Sequence, residues 1–434
     1  MVAEATTRRA APARPALARL VGDVDAFAES AWGCAPLLRS AEPGDPDADR
    51  FADLFGLDAV DELVSVRGLR TPFLRLVKDG TTIPERAYVG GGGIGAAVPD
   101  QARDDGILAQ VGAGATLVLQ GLHRVWEPLL RFTQQLSADL GHPVQANAYV
   151  TPPQSRGFGS HYDVHDVFML QVHGEKRWHI HEPVFPLPLR SQPGDRHADA
   201  IARAAAQAPL LDVVLRPGDC LYLPRGYLHS ATALGGVSAH LTIGVPAWTR
   251  FAVVEQLLDE LRARLADDEP LRGSLPLGVD PAMPHALDEV VAQVRATMRR
   301  ELASIGSDRI AARLVAAQAP SQRPAPLPPF AQLAAARQLT PTAPVKLREH
   351  LALRREATDS GGALLVGRHG WVAVPPEEVA GLDAILAAGD ARPAGGDAAG
   401  ARCARDLPLP EPAAVALIER LLLGGVVVPA APTE

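Results

Sequence analysis

The sequence predicts a mixed α+β fold in which a β-rich core is followed by helices and then by a small helix-and-strand unit. Between residues 145 and 245, segments of five to eight residues alternate with turn residues, a spacing typical of a β-sandwich or barrel. Beyond Pro246, two segments of about 20 residues place apolar side chains at helical intervals. The last hundred residues combine a hairpin candidate, GGALLVGRHGWVAVP, with a helix and a strand, an order that resembles a winged helix.

The elements before the core are predicted from local patterns. Residues 1–18 are rich in Ala, Arg and Pro and contain no apolar signal core, so we expect a disordered tail there. DAFAESAWGCAPLLRS predicts a short amphipathic helix that ends at Pro36. Residues 115–120 predict a strand, and residues 123–140 predict a helix with one apolar face.

At 434 residues the chain is long for one domain, and its composition changes at several points. Long amphipathic helices beside a β core often bury their apolar stripe on a partner subunit, so we expect a homodimer. The predicted organisation is a tail, a β-rich domain, a helical dimerisation region, a Pro-rich linker and a winged-helix-like domain, over residues 1–18, 19–248, 249–318, 319–330 and 331–434.

Charge and cysteine content exclude several classes of function. The net charge of −8 and the pI of about 5.9 argue against broad electrostatic binding to nucleic acid. The three cysteines are far apart and odd in number, which favours neither a disulfide framework nor a thiolate zinc site and indicates a reducing cytoplasm. Because no stretch approaches the ~20 apolar residues of a membrane span, we expect no membrane association.

The motif His161-Tyr162-Asp163 is the strongest indication of chemistry. Residues two apart on a strand face the same side, so His161 and Asp163 can reach one metal, and His229 follows Asp163 by 66 residues, after the turn PRG. Two imidazoles and one carboxylate form a facial triad that binds Fe(II) and leaves positions open for oxygen chemistry. The alternatives are a coincidental HxD in a His-rich region, or a cupin-like metal site at His179 and His181.

Further polar residues suggest a co-substrate site. Lys176 follows Asp163 by 13 residues, and an inward-facing lysine would bind the distal carboxylate of 2-oxoglutarate. Its alternative is an ordinary surface lysine, although the chain has only three lysines and surface cations are almost always Arg. Asn147 and Tyr149 also share one side of a strand, where they would either hydrogen-bond co-substrate or substrate, or act as polar groups of a barrel wall.

Three segments together resemble the JmjC-type ribosomal oxygenases: NAYVTPPQSRGFGSHYDVHDVFMLQVHGEKRWHIH, LRPGDCLYLPRGYLHSA and SAHLTIGV. The resemblance implies a double-stranded β-helix (jelly-roll, cupin-like) catalytic core, a helical dimerisation region and a C-terminal winged helix. It also implies a protein hydroxylase that uses Fe(II), 2-oxoglutarate and O2. By position, the iron ligands match His161, Asp163 and His229, the distal-carboxylate residue matches Lys176, and two active-site polar positions match Asn147 and Tyr149.

The resemblance leaves the target open between histidine and arginine. Family members that hydroxylate arginine carry Arg at the position of Lys176, and the Lys form resembles the histidine-hydroxylating branch. The expected substrate is a protein, ribosomal by analogy, or a peptide. Two alternatives stay open: a small-molecule oxygenase of a biosynthetic pathway, and a non-enzymatic winged-helix binding protein with a degenerate barrel. Direct nucleic-acid binding is disfavoured because the candidate recognition helix carries one cation, Arg420.

Overall fold

The computed structural model describes residues 14–41, 49–95, 97–155, 158–280, 282–368, 370–390 and 400–430. The chain divides into two compact units, and the boundary lies between Ala247 and Trp248. Within the described ranges, no helix combines the length and the apolar character needed to cross a membrane.

The disordered N-terminal tail was predicted over residues 1–18, and this range extends too far along the chain. Residues 1–13 lie outside the described part, but helix α1 begins at Pro15 and extends over Pro15–Val21. Proline suits this first helical turn because its missing N–H would have no partner there. The Asp139 carboxylate accepts hydrogen bonds from the backbone N–H groups of Ala16 and Leu17, at 2.8 and 3.0 Å. The helix is thereby fixed to the core, and the prediction of disorder is wrong for residues 15–18.

Within the described residues, the first unit is built on an antiparallel sheet of nine strands, in the β-rich region that the strand spacing predicted. Its strands pair in the order β1-β10-β8-β11-β7-β6-β2-β3, with β9 paired to β8, and β4 and β5 form a separate pair. The strands are β1 Leu37–Arg39, β2 Leu74–Lys78, β3 Thr81–Thr82, β4 Val89–Gly90, β5 Gln101–Ala102, β6 Thr116–Leu119, β7 Gln145–Thr151, β8 Asp166–His181, β9 Leu211–Leu215, β10 Cys220–Leu223 and β11 Leu228–Val245. The helices are α1, α2 Val24–Ser30, α3 Leu57–Asp61, α4 Asp104–Gly112, α5 Glu127–Leu140 and α6 Ala198–Ala205.

Strands β8 and β11 are much longer than the predicted segments. DVFMLQV and KRWHIHE form one strand of 16 residues, and SAHLTIGV is the end of a strand of 18 residues. The first half of β8 pairs with β10 and its second half pairs with β9. Strand β11 pairs with both halves of β8. Gly174 lies between the halves with φ +61°, next to a register shift after Leu234. Two long bent strands therefore run through both parts of the sheet.

The core of the first unit lies between the sheet and the N-terminal helices. Phe27 of α2 packs against Phe168 of β8 and Tyr222 of β10, with ring centroids 5.9 and 4.9 Å apart. Asp23 caps α2 by accepting hydrogen bonds from the N–H groups of Asp25 and Ala26. The predicted helix in DAFAESAW therefore closes one side of the sheet, and the other side is left for a cavity.

The second unit begins with three helices, α7 Arg250–Asp267, α8 Asp288–Ser304 and α9 Ser307–Gln318. The buried carboxylate of Glu260 holds α7 to α9 through Arg309 and Arg313, at 3.1 and 3.4 Å. The sequence predicted the first two helices. The third, α9, extends into the end of the predicted helical region.

The C-terminal part of the second unit has its own apolar core, which includes Leu365, Leu382, Leu417 and Val427. Strands β13, β14 and β15 form an antiparallel meander, and β12 pairs with β16. The predicted hairpin corresponds to β14 and β15. The elements are α10 Pro329–Arg337, β12 Val345–Leu347, β13 Arg354–Ala357, β14 Ala363–Gly367, β15 Gly370–Val374, α11 Val379–Asp390, α12 Glu411–Leu423 and β16 Val427–Pro429.

Candidate metal centre

The structure brings His161, Asp163 and His229 together at one end of the first unit. Their candidate ligand atoms all lie within 4.8 Å of one another. Nε2 of His229 is 3.7 Å from Oδ2 of Asp163, and the two imidazole centroids are 4.4 Å apart. His161 and Asp163 precede β8, and His229 is the second residue of β11. Residues 66 positions apart in the chain thus form one potential binding site.

Backbone hydrogen bonds fix the spacing of these three residues. His161 and His229 form an isolated antiparallel bridge, in which each N–H donates to the other carbonyl, at 3.2 and 2.8 Å. The N–H of Gly226 donates to the carbonyl of Asp163 at 3.0 Å. The two ligand-bearing segments are therefore joined by their peptide groups before any metal binds.

Each imidazole is oriented by a carbonyl on its inner nitrogen. Nδ1 of His161 lies 2.8 Å from the carbonyl oxygen of Gly159, and Nδ1 of His229 lies 3.1 Å from that of Tyr227. Because a carbonyl only accepts hydrogen bonds, each Nδ1 must carry the proton. In the neutral form of each imidazole, Nε2 is then the unprotonated nitrogen and can act as a metal ligand.

The electrostatics of the cluster favour the same protonation states. Burial and the charge of His161 lower the pKa of His229 to about 4, against the opposing effect of Asp163. Burial acts to raise the pKa of Asp163, but the imidazoles of His229, His165 and His161 lower it on balance. Near neutral pH the site therefore presents a carboxylate and a neutral imidazole, the ligand forms that a metal needs.

The donor set fits Fe(II), which binds two imidazoles and one carboxylate on one side. In the part of the chain that the structure describes, this is the only cluster of three or more His, Cys, Asp or Glu residues that could hold a metal. His179 and His181 acquire no third ligand there, and His179 instead lies 3.4 Å from the Asp212 carboxylate. The alternative metal site at that pair is not formed.

A cavity of about 240 Å³ opens beside the triad. It is lined by Arg75, Thr116, Tyr149, Thr151, Phe158, His161, Asp163, Met169, Lys176, Trp178, His229, Ser230, Ala231, His240 and Thr242. The polar groups converge on an interior that also has aromatic and thioether walls, which is typical of a small-ligand site.

Lys176 lies deep in this cavity and is only 4% exposed. Its Nζ donates to Oγ1 of Thr151 at 3.1 Å, lies 3.4 Å from Nδ1 of His240, and is 5.8 Å from the ring centroid of Trp178. None of these neighbours is anionic, and burial lowers the pKa of Lys176 to about 7. The alternative of an ordinary surface lysine is therefore wrong, and a buried cation without a counterion suits an anionic ligand.

Tyr149 and Asn147 differ in their surroundings. Tyr149 lines the cavity, stacks on His240 at 5.0 Å and hydrogen-bonds Arg75. Burial and the charge of Asp163 raise the pKa of Tyr149 to about 12, so it remains a neutral phenol. Asn147 is not among the cavity-lining residues, because its Oδ1 accepts a hydrogen bond from the N–H of Gly121 at 3.0 Å. The other five of the six predicted site residues all line the cavity.

Sequence reasoning missed Arg75, Phe158 and Trp178. Arg75 lies on β2, far from every motif, with its guanidinium carbon 5.4 Å from the ring centroid of Phe158. Its Nε is buried without a hydrogen-bond partner, and so is Nε1 of Trp178. The sequence could have identified Trp178 as a cavity residue, because it lies two residues from Lys176 on the same strand face. Nothing local in the sequence distinguishes Arg75 from the other arginines.

Comparison with known proteins assigns one stretch of the chain to a domain family. Residues 124–252 match the JmjC domain family. The chain is 38% identical over 139 residues to the bifunctional lysine-specific demethylase and histidyl-hydroxylase NO66 of Drosophila persimilis, an alignment that covers 31% of this chain and 19% of that protein. It is 40% identical over 123 residues to human ribosomal oxygenase 1, covering 27% of this chain and 18% of the other.

Among solved structures, the Escherichia coli ribosomal oxygenase YcfD shares the fold. It aligns with a TM-score of 0.52 at 18% identity and covers 94% of this chain and 98% of its own. A further YcfD structure, in complex with cobalt and succinic acid, aligns with a TM-score of 0.50 at 18% identity, with the same coverage of both chains.

The match to the JmjC domain covers residues 124–252, which include the antiparallel strands β7 to β11 and the His-Asp-His cluster. This chain carries a JmjC domain and is a relative of the ribosomal oxygenases, which confirms the resemblance predicted from its motifs. It spans about a fifth of the length of these two curated relatives.

Proposed function

We propose that this chain is an Fe(II)- and 2-oxoglutarate-dependent dioxygenase. Its proposed substrate for hydroxylation is a side chain of a protein, ribosomal by analogy, or of a peptide. The observation that carries the proposal is one cavity containing both a triad with two free Nε2 atoms and a buried lysine without a counterion. Relatives named as ribosomal oxygenases support it.

Eight of the residues that line the cavity have a proposed part in this activity. His161, Asp163 and His229 would hold the metal, and Lys176 would bind the distal carboxylate of 2-oxoglutarate, assisted by the neutral hydroxyl of Tyr149. Iron held by these residues would supply the oxidative decarboxylation of 2-oxoglutarate by O2, in which one oxygen atom enters succinate, CO2 is released and the other oxygen atom is inserted into a C–H bond of the substrate. The walls formed by Met169, Phe158 and Trp178 exclude water from the reacting groups. Asn147 retains a proposed supporting role at the edge of the site.

A histidine target fits the charges of the cavity better than an arginine target. Arg75 and Lys176 both line it, and Asp163 is the only carboxylate among the lining residues. With a divalent metal and a dicarboxylate bound, the cavity keeps a net positive charge, which repels a guanidinium and tolerates a neutral imidazole. The name histidyl-hydroxylase for the Drosophila relative supports the same choice.

The second unit suggests how the chain associates, and the cysteines suggest where it is located. We propose a homodimer through α7 and α8, whose exposed apolar residues include Phe251, Val254, Leu258, Val291, Met298 and Leu302. The C-terminal part is proposed to be a winged-helix-like packing element, because Arg420 is paired with Glu378 at 3.2 Å and is not free to contact nucleic acid. A cytoplasmic location is proposed from the three free cysteines, Cys34, Cys220 and Cys403.

Anaerobic titration with Fe(II) and then 2-oxoglutarate tests the proposed activity without knowledge of the substrate. The wild type is expected to develop the visible charge-transfer band of the iron chelate, and His229→Ala and Asp163→Ala are expected to lose it. His179→Ala serves as the matched control because it removes an exposed histidine of the same sheet. A folded wild type that forms no band would overturn the proposal, as would a band that survives in both triad variants.

A further inference from the structure

We infer that Asp166 is a positioning residue: its buried carboxylate joins the two segments that carry the triad and thereby sets the affinity of the site for metal. The inference rests on the proposed function, since it concerns the same metal centre. It adds a residue that contacts neither the cavity nor the triad side chains.

Asp166 is enclosed and fully engaged. It is 1% exposed and is the first residue of β8, three positions after Asp163. Its Oδ1 accepts a hydrogen bond from the N–H of Arg225 at 3.0 Å and lies 3.6 Å from Nη1 of the same residue. Its Oδ2 accepts from the hydroxyl of Tyr222 at 2.7 Å. One carboxylate is thus bound to three groups of the neighbouring chain segment.

That neighbouring segment presents His229. Arg225 belongs to the turn Pro224-Arg225-Gly226, and the N–H of Gly226 donates to the carbonyl of Asp163. The turn lies close to a second segment and requires glycine, because Gly226 has φ +93° and a Cβ there would lie 2.9 Å from the carbonyl oxygen of Phe185. The pairing of Asp166 with Arg225 therefore holds the turn against the segment that carries His161 and Asp163.

The charge of Asp166 matters as well as its hydrogen bonds. The Arg225 side chain is only 14% exposed, its Nε has no hydrogen-bond partner, and Asp166 is its only ion pair in the described part of the chain. Neutralising Asp166 would leave a buried guanidinium without compensation, which favours movement of the turn towards water. A displaced turn moves His229 relative to Asp163, so the expected consequence is weaker metal binding.

Co(II) binding by the full chain is the probe, because its visible spectrum reports both affinity and coordination geometry. Asp166→Asn keeps the shape of the side chain and removes its charge. We expect the Kd for Co(II) to rise about tenfold or more, the range found when groups that support metal ligands are removed. We also expect a changed visible spectrum of the bound ion, which general destabilisation alone would not produce.

Asp219→Asn is the matched control. Asp219 is another buried carboxylate of the same sheet, and it accepts hydrogen bonds from the N–H groups of Ala41 and Arg216, at 2.7 and 2.8 Å. Because neither partner carries the triad, this variant should lose stability and keep the wild-type Kd for Co(II) and its spectrum. Equal weakening in the two variants would overturn the inference, as would a folded Asp166→Asn protein with wild-type affinity.

Tyr222→Phe covers the case in which Asp166→Asn does not fold. It removes one hydrogen bond from Asp166 and leaves its charge, so a rise of about two- to fivefold in the Kd for Co(II) is expected. An unchanged Kd would count against the inference. A wild type that binds Co(II) but fails to bind 2-oxoglutarate overturns the proposed function alone, whereas one that binds no Co(II) overturns both.

Discussion

At the scale of single residues, Lys176 has the most unusual environment. The groups that face it are Thr151 and Trp178, together with His240, whose pKa burial lowers well below its ordinary value, so that the imidazole stays neutral. With its pKa lowered to about 7, Lys176 is partly neutral at physiological pH. A dicarboxylate favours the ammonium form, so its binding above pH 7 is linked to proton uptake.

The affinity for 2-oxoglutarate should therefore depend on pH. Below pH 7 the lysine is already charged and the Kd should be flat. Above pH 7 a proton must be taken up from solution, and the Kd should rise by up to about tenfold per pH unit until the pKa of the complex is reached. Titration of the iron chelate band at several pH values measures this.

Lys176→Arg is the matched variant, because a guanidinium stays charged across this range. It should bind 2-oxoglutarate with little dependence on pH between 6.5 and 8.5. A wild-type Kd that is constant over the same interval, or a parallel rise in the two proteins, would show that Lys176 does not control the linkage.

The sequence predicted these residues unequally, for physical reasons. His161 and Asp163 are two residues apart, a spacing that reports a common face on a strand. Lys176 was predicted instead from the need for a cation and from the rarity of lysine in this chain. Arg75 reaches the cavity from β2, and its place there depends on the pairing of β2 with β6, which no local pattern encodes. The hydrogen bond from the N–H of Gly121 to Oδ1 of Asn147 is likewise a tertiary contact, which no local pattern encodes.

At the scale of elements, Gly174 makes the long strand β8 possible. A Cβ at this position would lie 2.2 Å from the carbonyl oxygen of Val237 on β11. The sequence predicted two separate strands on either side of this glycine, since a break in periodicity looks the same as a turn. The structure shows instead a bend across which β11 remains paired.

A pair of glycine variants should separate backbone conformation from close approach. Gly174 and Gly235 have φ +61° and +62°, but a Cβ at Gly235 would meet nothing within 4 Å. Gly235→Ala should lower the free energy of unfolding by about 1 kcal/mol, the cost of a left-handed alanine. Gly174→Ala should lower it by about 2–4 kcal/mol, because the carbonyl must also move. Urea unfolding of both proteins gives the comparison, and equal losses would contradict it.

At the scale of the whole molecule, the two units differ in what they leave exposed. The first unit turns its polar cavity inward, whereas α7 of the second unit exposes Phe251, Val254 and Leu258 along one face. The periodicity of this helix was visible in the sequence. A partner subunit was expected to cover the apolar face of this helix, although the period alone does not distinguish a face buried within the chain from an exposed one.

The proposed dimer can be broken on that face. Val254→Asp combined with Leu258→Asp should convert a dimer into a monomer, because two carboxylates would be buried without partners. Leu277→Asp is the control, since Leu277 is fully exposed in the segment between α7 and α8 and should leave the dimer intact. Sedimentation velocity at micromolar concentration measures the mass. A monomeric wild type, or a dimer that survives the double substitution, would contradict the prediction.

The peptide bridge between His161 and His229 has a consequence for how such a protein can diverge. The distance between the two imidazole-bearing residues is set by main-chain groups, which every amino acid except proline supplies. The cavity wall around Arg75 and Phe158 is built from side chains, which single substitutions replace. Lineages descended from such a chain can therefore exchange one target for another while inheriting the same metal geometry.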